Sequence, residues 1–130
     1  MSDAPKIIPY LSYVDAKAAM AFLADAFGFE TVIAADGEDG RLLHGEMRLG
    51  PGMVLIGTVD AGVPRQSPGI YAVIDDVDAH FGRAFAAGAE VVFPPEATEW
   101  GTRRYRVRDP EGHEWTFGSY QPQTEPPAWG

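Results

Sequence analysis

Apolar residues run almost unbroken through IIPYLSYV (7 to 14), and the β-branched and aromatic members of that run predict a strand. Asp15 then offers a side-chain cap for an alanine-rich helix, AKAAMAFLADAF, ending at Gly28. Within it Ala19, Phe22, Leu23 and Ala26 recur at helical spacing, which makes one face apolar and turns Lys17 and Asp25 outward. Three further strand patterns follow: FETVIAA (29 to 35), RLLHGEMRL (41 to 49) after the turn DGEDG, and MVLIGTV (53 to 59) after GPG. The first half therefore reads βαβββ.

The second half repeats this order. GIYAVID (69 to 75) predicts a strand, DVDAHFGRAFAA (76 to 87) a helix, and AEVVFP (89 to 94), TRRYRVR (102 to 108) and HEWTFGS (113 to 119) three strands. At an offset of 60, Asp15 meets Asp75, Gly28 meets Gly88 and Gly52 meets Gly112, at positions where backbone geometry selects the residue type. The polar stretch DAGVPRQSP links the halves. This gives an α+β fold in a single domain, 1–130: module one 6–59, linker 60–68, module two 69–120, and an extended tail 121–130 whose Trp129 is placed to dock on a neighbour.

Composition removes several classes of function. Within 130 residues a hydrophobic core forms without staples, and the lack of any cysteine excludes disulfides and thiolate chemistry, as suits the cytoplasm. Nineteen acidic against ten basic residues, a formal charge of -9, repel phosphate backbones and anionic lipid, so neither nucleic acid nor membrane is an expected partner. MSDAPKII carries no signal-peptide pattern, and no apolar run is long enough to span a bilayer.

The paired βαβββ modules, VDA at the second helix and RDPEGHEWTF at the last hairpin resemble the vicinal oxygen chelate superfamily, whose members include glyoxalase I, extradiol dioxygenases and bleomycin- and fosfomycin-resistance proteins. WGTRRYRVRDPEGHEW together with HGEMRLG is most similar to its uncharacterised PhnB-like, glyoxalase-like branch. The resemblance implies mixed sheets that curl into a cup-shaped, half-open barrel with helices outside, a homodimer, and a metal held by the first and last strands of each module. Aligned to that pattern, the ligand positions fall on Pro9, Ile56, Gly69 and Thr116, none of which offers the imidazole or carboxylate that a divalent cation needs. The expectation is no metal and no cofactor.

Strand alternation then suggests what lines the cup. If Leu43, Met47 and Leu49 face the core, His44 and Glu46 share the opposite face, the repeat maps these two onto Arg104 and Arg106, and alternation with Trp115 and Phe117 puts Glu114 and Thr116 there too. Leu11, Tyr13, Val54, Ile56 and Tyr71 are expected to form an apolar wall, and Trp100, on the loop before strand 102 to 108, either overhangs the ligand or plugs the surface. His44 with Glu46 can act as a general base with its orienting carboxylate, or both are simply solvated on a half-exposed strand. Arg104 or Arg106 can grip a carboxylate or phosphate, or pair with Glu46 and Glu114. His44, Glu46 and Glu114 together are a nonstandard ligand set. His80 reads as a surface residue, and DPEG as a turn in which Asp109 bonds turn amides.

Three functions fit: a metal-independent binder of a small organic ligand, a metal-independent lyase or isomerase of a small carbonyl compound using His44 and Glu46, or an enzyme with a nonstandard metal. The first is the leading expectation.

Overall fold

A computed structural model describes residues 4–64, 67–126 and 128; Trp129 and its expected docking lie outside them. Module one comprises β1 (Tyr10–Tyr13), α1 (Ala16–Phe22), β2 (Glu30–Asp36), β3 (Leu42–Leu49) and β4 (Gly52–Thr58). Module two comprises β5 (Ile70–Val73), α2 (Val77–Ala86), β6 (Glu90–Ala97), β7 (Arg103–Arg108) and β8 (Glu114–Gly118). Each forms a four-stranded mixed sheet, ordered β1-β4-β3-β2 and β5-β8-β7-β6, with the outer strand β1 or β5 parallel to β4 or β8 and the rest antiparallel. The sheets do not close, and together they form the expected half-open cup of two βαβββ modules.

The two modules match through a shifting offset, and the shifts have physical causes. Tyr10 pairs with Leu55 as Tyr71 pairs with Thr116, an offset of 61; Glu30 pairs with Arg48 as Glu90 pairs with Arg108, an offset of 60. Module two loses its residue in the helix: α1 continues into one π-helical turn, Leu23–Phe27, which accommodates an extra residue that α2 lacks. It regains one in the last hairpin, where three residues separate the hydrogen-bonded Asp109 and His113 but two separate Leu49 and Gly52. The helix cap equivalent to Asp15 is accordingly Asp76 and not Asp75: Asp15 accepts from the Ala18 amide and Asp76 from the Ala79 amide, each at 3.0 Å.

A single core joins the modules. Phe27, at the end of the π-helical turn, packs 4.7 Å from the Phe117 ring and 5.4 Å from Trp115, and Phe29 lies 5.4 Å from Trp115. Four of the five residues expected on the cup wall belong to this core: Leu11, Tyr13, Val54 and Ile56 are all at most 3 % exposed. The runs IIPYLSYV and MVLIGTV are apolar on both faces, so alternation could not choose between them. Leu43 errs the other way, being 68 % exposed while Leu42 is buried, because Ala35 pairs with His44 and Asp36 with Leu42, leaving Leu43 as a bulge.

The β7–β8 turn acts as a latch on module one. Asp109, 4 % exposed, accepts from the Tyr13 hydroxyl at 2.6 Å, from Trp115 Nε1 at 3.1 Å and from the Glu111 and His113 amides. Glu111 accepts from the amides of Val14 at 2.7 Å and Asp15 at 2.8 Å, just ahead of α1, and His113 Nε2 donates to the Ser12 carbonyl at 2.9 Å. Burial and the adjacent Asp109 charge drive the Tyr13 hydroxyl far above its ordinary pKa, so it stays protonated and donates. Gly112, with φ of 89°, permits the turn that brings these groups together.

His80 is no surface residue. Its Nε2 donates to the Phe27 carbonyl at 2.8 Å, which leaves Nδ1 to accept from the Tyr105 hydroxyl and makes the neutral ring the bonded form. Burial, opposed in part by the Phe27 carbonyl, pulls its pKa below the ordinary 6.5. The unfolded chain takes up a proton near 6.5 that the folded chain resists, so the stability linked to His80 is complete above that pH and drains away below it. Denaturant titrations from pH 7.5 to pH 5 should show wild type losing its advantage over His80→Gln as the pH falls; a constant difference would contradict this account.

Candidate functional site

Each sheet has one face under its helix and one face open. Register assigns the sides without ambiguity: buried Met47 pairs with buried Val54, so Glu46 and its partner Leu55 face out, and Tyr10, the partner of Leu55 on β1, faces out with them. In module two the corresponding row is Phe93, Arg106, Thr116 and Tyr71, running across β6, β7, β8 and β5. Arg104 lies two residues along β7 on the same face.

Of the residues expected to bind ligand, module two gathers six: Tyr71, Trp100, Arg104, Arg106, Glu114 and Thr116. Tyr71, Arg104, Arg106, Glu114 and Thr116 line a cleft of about 330 Å³, together with Pro68, Gly69 and Ile70. Tyr71 and Arg104 also line an adjoining cleft of about 720 Å³ that extends past Glu96 to Trp100 and Tyr120. Both volumes suit small molecules. Trp100 is 75 % exposed, so it plugs nothing in this chain. Tyr13 and Ile56 lie in the core and line neither cleft.

The arginines differ in how far the protein satisfies them. Arg103 holds Asp78 through two hydrogen bonds of 3.0 and 2.8 Å. Arg106 donates Nε to Thr116 Oγ1 at 2.8 Å and stands 3.8 Å from Glu114, whose other oxygen is held by Arg108 at 3.1 Å. Arg104 approaches Glu96 only to 3.9 Å, beyond hydrogen-bond reach. Both Arg104 and Arg106 lie over the ring of Phe93, at 5.4 and 5.2 Å from its centroid. Phe93 is not among the residues expected at the site; the signal for it is a strand phenylalanine followed by an Arg-x-Arg strand.

Tyr71 is held by a close approach. A Cβ on Gly118 would come within 2.6 Å of the Tyr71 hydroxyl oxygen, so the ring lies across β8 only because that residue has no side chain. The hydroxyl donates to the Tyr120 carbonyl at 2.8 Å and ties the following tail to the cleft rim; burial raises its pKa. Module one repeats the device with Tyr10 across Gly57.

His44 and Glu46 share the open face of module one, with Nε2 and Oε2 2.8 Å apart and side chains 36 % and 27 % exposed. This is the hydrogen-bonded geometry an acid-base pair requires.

The outward first- and last-strand positions can be compared with the family pattern. Pro9 and Ile56 neighbour the outward residues Tyr10 and Leu55, so they point to the other face; the paired outward positions are Tyr10 with Leu55 and Tyr71 with Thr116. Tyrosine, leucine and threonine at these positions supply neither the imidazole nor the carboxylate of a typical divalent-cation site. Among the described residues, no three histidine, aspartate or glutamate side chains converge to hold a metal, and this includes His44, Glu46 and Glu114. No helix among them is long and apolar enough to cross a membrane.

Comparison with known proteins agrees with this architecture. An uncharacterized protein of Mycobacterium bovis is 34 % identical over 128 residues, covering 88 % of this chain and 82 % of its own. The crystal structure of TioX from Micromonospora sp. ML1 superposes with a TM-score of 0.77 at 31 % identity, covering 88 % of this chain and 98 % of its own. Lactoylglutathione lyase from Agrobacterium tumefaciens shares the fold, with a TM-score of 0.64 at 23 % identity over 89 % of this chain and 95 % of its own. The Glyoxalase/Bleomycin resistance protein/Dioxygenase superfamily model matches residues 10–117, and the chain belongs to that superfamily.

Proposed function

We propose that this chain binds a small organic molecule in its cup without the metal usual in its superfamily. The observation that carries the reading is the pair of adjoining clefts on the open face of module two, sharing Tyr71 and Arg104, on a sheet whose outward first- and last-strand positions offer no metal ligand. A thermal-shift screen of small metabolites and antibiotics on protein purified without added metal should find stabilisation that grows with ligand concentration as linkage requires. Stoichiometric metal in that protein, or stabilisation only after metal addition, would reverse the conclusion. The same reading takes the chain as a cytoplasmic homodimer of the PhnB-like branch, with a second copy completing the open faces; sedimentation of a monomer at micromolar concentration would remove that part.

The His44–Glu46 hydrogen bond supports a second reading, a metal-independent lyase or isomerase acting on a small carbonyl compound. Lacking a metal, such an enzyme would draw on arginine to stabilise a developing oxyanion. If a substrate emerges from screening, His44→Ala should reduce kcat by about a hundredfold or more while leaving the melting temperature within a few degrees, as for loss of a general base. Unchanged turnover would exclude His44 from the chemistry.

A further inference from the structure

We infer that the ligand of the module-two clefts is an aromatic oxyanion, its acid group held by Arg104 with Arg106 and its ring lying toward Trp100 and Tyr120. This rests on the binding reading above and adds the chemistry of the bound molecule.

Neighbouring arginines on one strand differ in their side-chain partners. Arg103 has its guanidinium fork filled by Asp78, whereas the Arg104 guanidinium makes no hydrogen bond to any described residue and reaches Glu96 only at 3.9 Å. Shortage of carboxylates cannot be the reason in a chain with nineteen acidic and ten basic residues. Arg106, on the same face, commits only Nε to Thr116, and the nearer oxygen of Glu114 stands 3.8 Å away. Two cations thus share the Phe93 ring, and among the described residues their outer N–H groups find no hydrogen-bond acceptor. Stacking on the ring restricts where each fork points, and a fixed planar fork fits a carboxylate, phosphonate or phosphate.

Shape supplies the other half. Arg104 and Tyr71 line both clefts, so an acid group at the arginines is continuous with the larger space. At its far end stand Trp100 and Tyr120, 75 % and 50 % exposed, surfaces on which a planar group can stack. Glu96 and Glu99 also line that larger cleft and oppose a second negative charge there. The molecule that fits is charged at one end and neutral and flat at the other.

Phenylphosphonate and benzoate test this against their neutral and cationic analogues benzamide and benzylamine. Titration of the full chain, followed by tryptophan fluorescence and calorimetry, should show saturable binding of the two anions and at least tenfold weaker binding of benzamide and benzylamine. Arg104→Gln should weaken phenylphosphonate about tenfold or more, the loss expected for a charge-assisted contact, with Arg104→Lys intermediate because it keeps the charge and loses the fork. Trp100→Phe should abolish most of the fluorescence response while calorimetry still detects binding. Arg104 is exposed, so circular dichroism of the variants should match wild type. Benzamide or benzylamine binding as tightly as phenylphosphonate, or Arg104→Gln leaving its affinity unchanged, overturns the oxyanion assignment and leaves the binding function standing. Failure of every aromatic fragment to bind overturns the aromatic-oxyanion assignment, while the binding function itself falls only if the thermal-shift screen also finds no ligand.

Discussion

Asp109→Ala should lower the unfolding free energy by about 3 kcal/mol or more, the largest single effect expected from any polar residue in the chain. The carboxylate accepts from the Tyr13 hydroxyl and Trp115 Nε1, both on side chains without measurable exposure, and from two turn amides. Alanine removes all of these acceptors at once and leaves buried donors without partners, which costs more than the hydrogen bonds contributed. Asp109→Asn preserves the shape but presents an NH2 group among donors, so it should fall between alanine and wild type. Tyr13→Phe removes one donor and its partner's burden together, and should cost about 1 kcal/mol. Urea denaturation of the three variants checks the order, and an alanine loss below 1 kcal/mol would refute the latch.

Gly118→Val should carry the second largest effect, divided between stability and binding. Its Cβ would lie 2.6 Å from the Tyr71 hydroxyl oxygen and 3.1 Å from the backbone carbonyl oxygen of Arg103. The ring can swing aside but the carbonyl cannot, so overpacking of about 1–3 kcal/mol is expected. Tyr71 would lose its bond to Tyr120, and the wall shared by both clefts would be displaced. Thermal denaturation with ligand titration should therefore show a lower melting point and a weakened response to any cleft ligand. Gly57→Val, at the equivalent site, meets only the Tyr10 side chain, which can swing aside, so it should destabilise less and leave module-two binding intact. If both variants bind equally well, the placement of Tyr71 is immaterial to the cleft.

Much of the fold could be read from the chain because turns and caps carry local instructions. The strand-helix-strand order, the helix stop at Gly28 and the turn at DPEG all depend on residues within a few positions of one another. The polar sides of the cup were also legible, since alternation in LLHGEMRL and RRYRVR separates charged from apolar residues. The apolar wall was not, because β1 and β4 are apolar on both faces and only their hydrogen-bonded partners reveal which side is buried. A constant repeat offset compounded the error: it set Ile56 against Thr116, where the extra residue of the last hairpin makes Leu55 the true counterpart. His80 was misread for a related reason, since its partners Phe27 and Tyr105 are remote in sequence.

The latch also bears on the order in which this chain can fold. Val14 and Asp15, at the threshold of α1, bond to a glutamate 97 and 96 residues further on, and the Ser12 carbonyl awaits a histidine 101 residues away. Contacts of such long sequence separation form slowly, because the intervening chain must first be ordered. On the ribosome, the first half would emerge with β1 paired to β4 but without the latch, and with Phe27 and Phe29 lacking the Trp115 and Phe117 rings until the final hairpin is made. A truncated first half should therefore behave as an aggregation-prone fragment, and mutations in the last hairpin should slow the maturation of the whole chain.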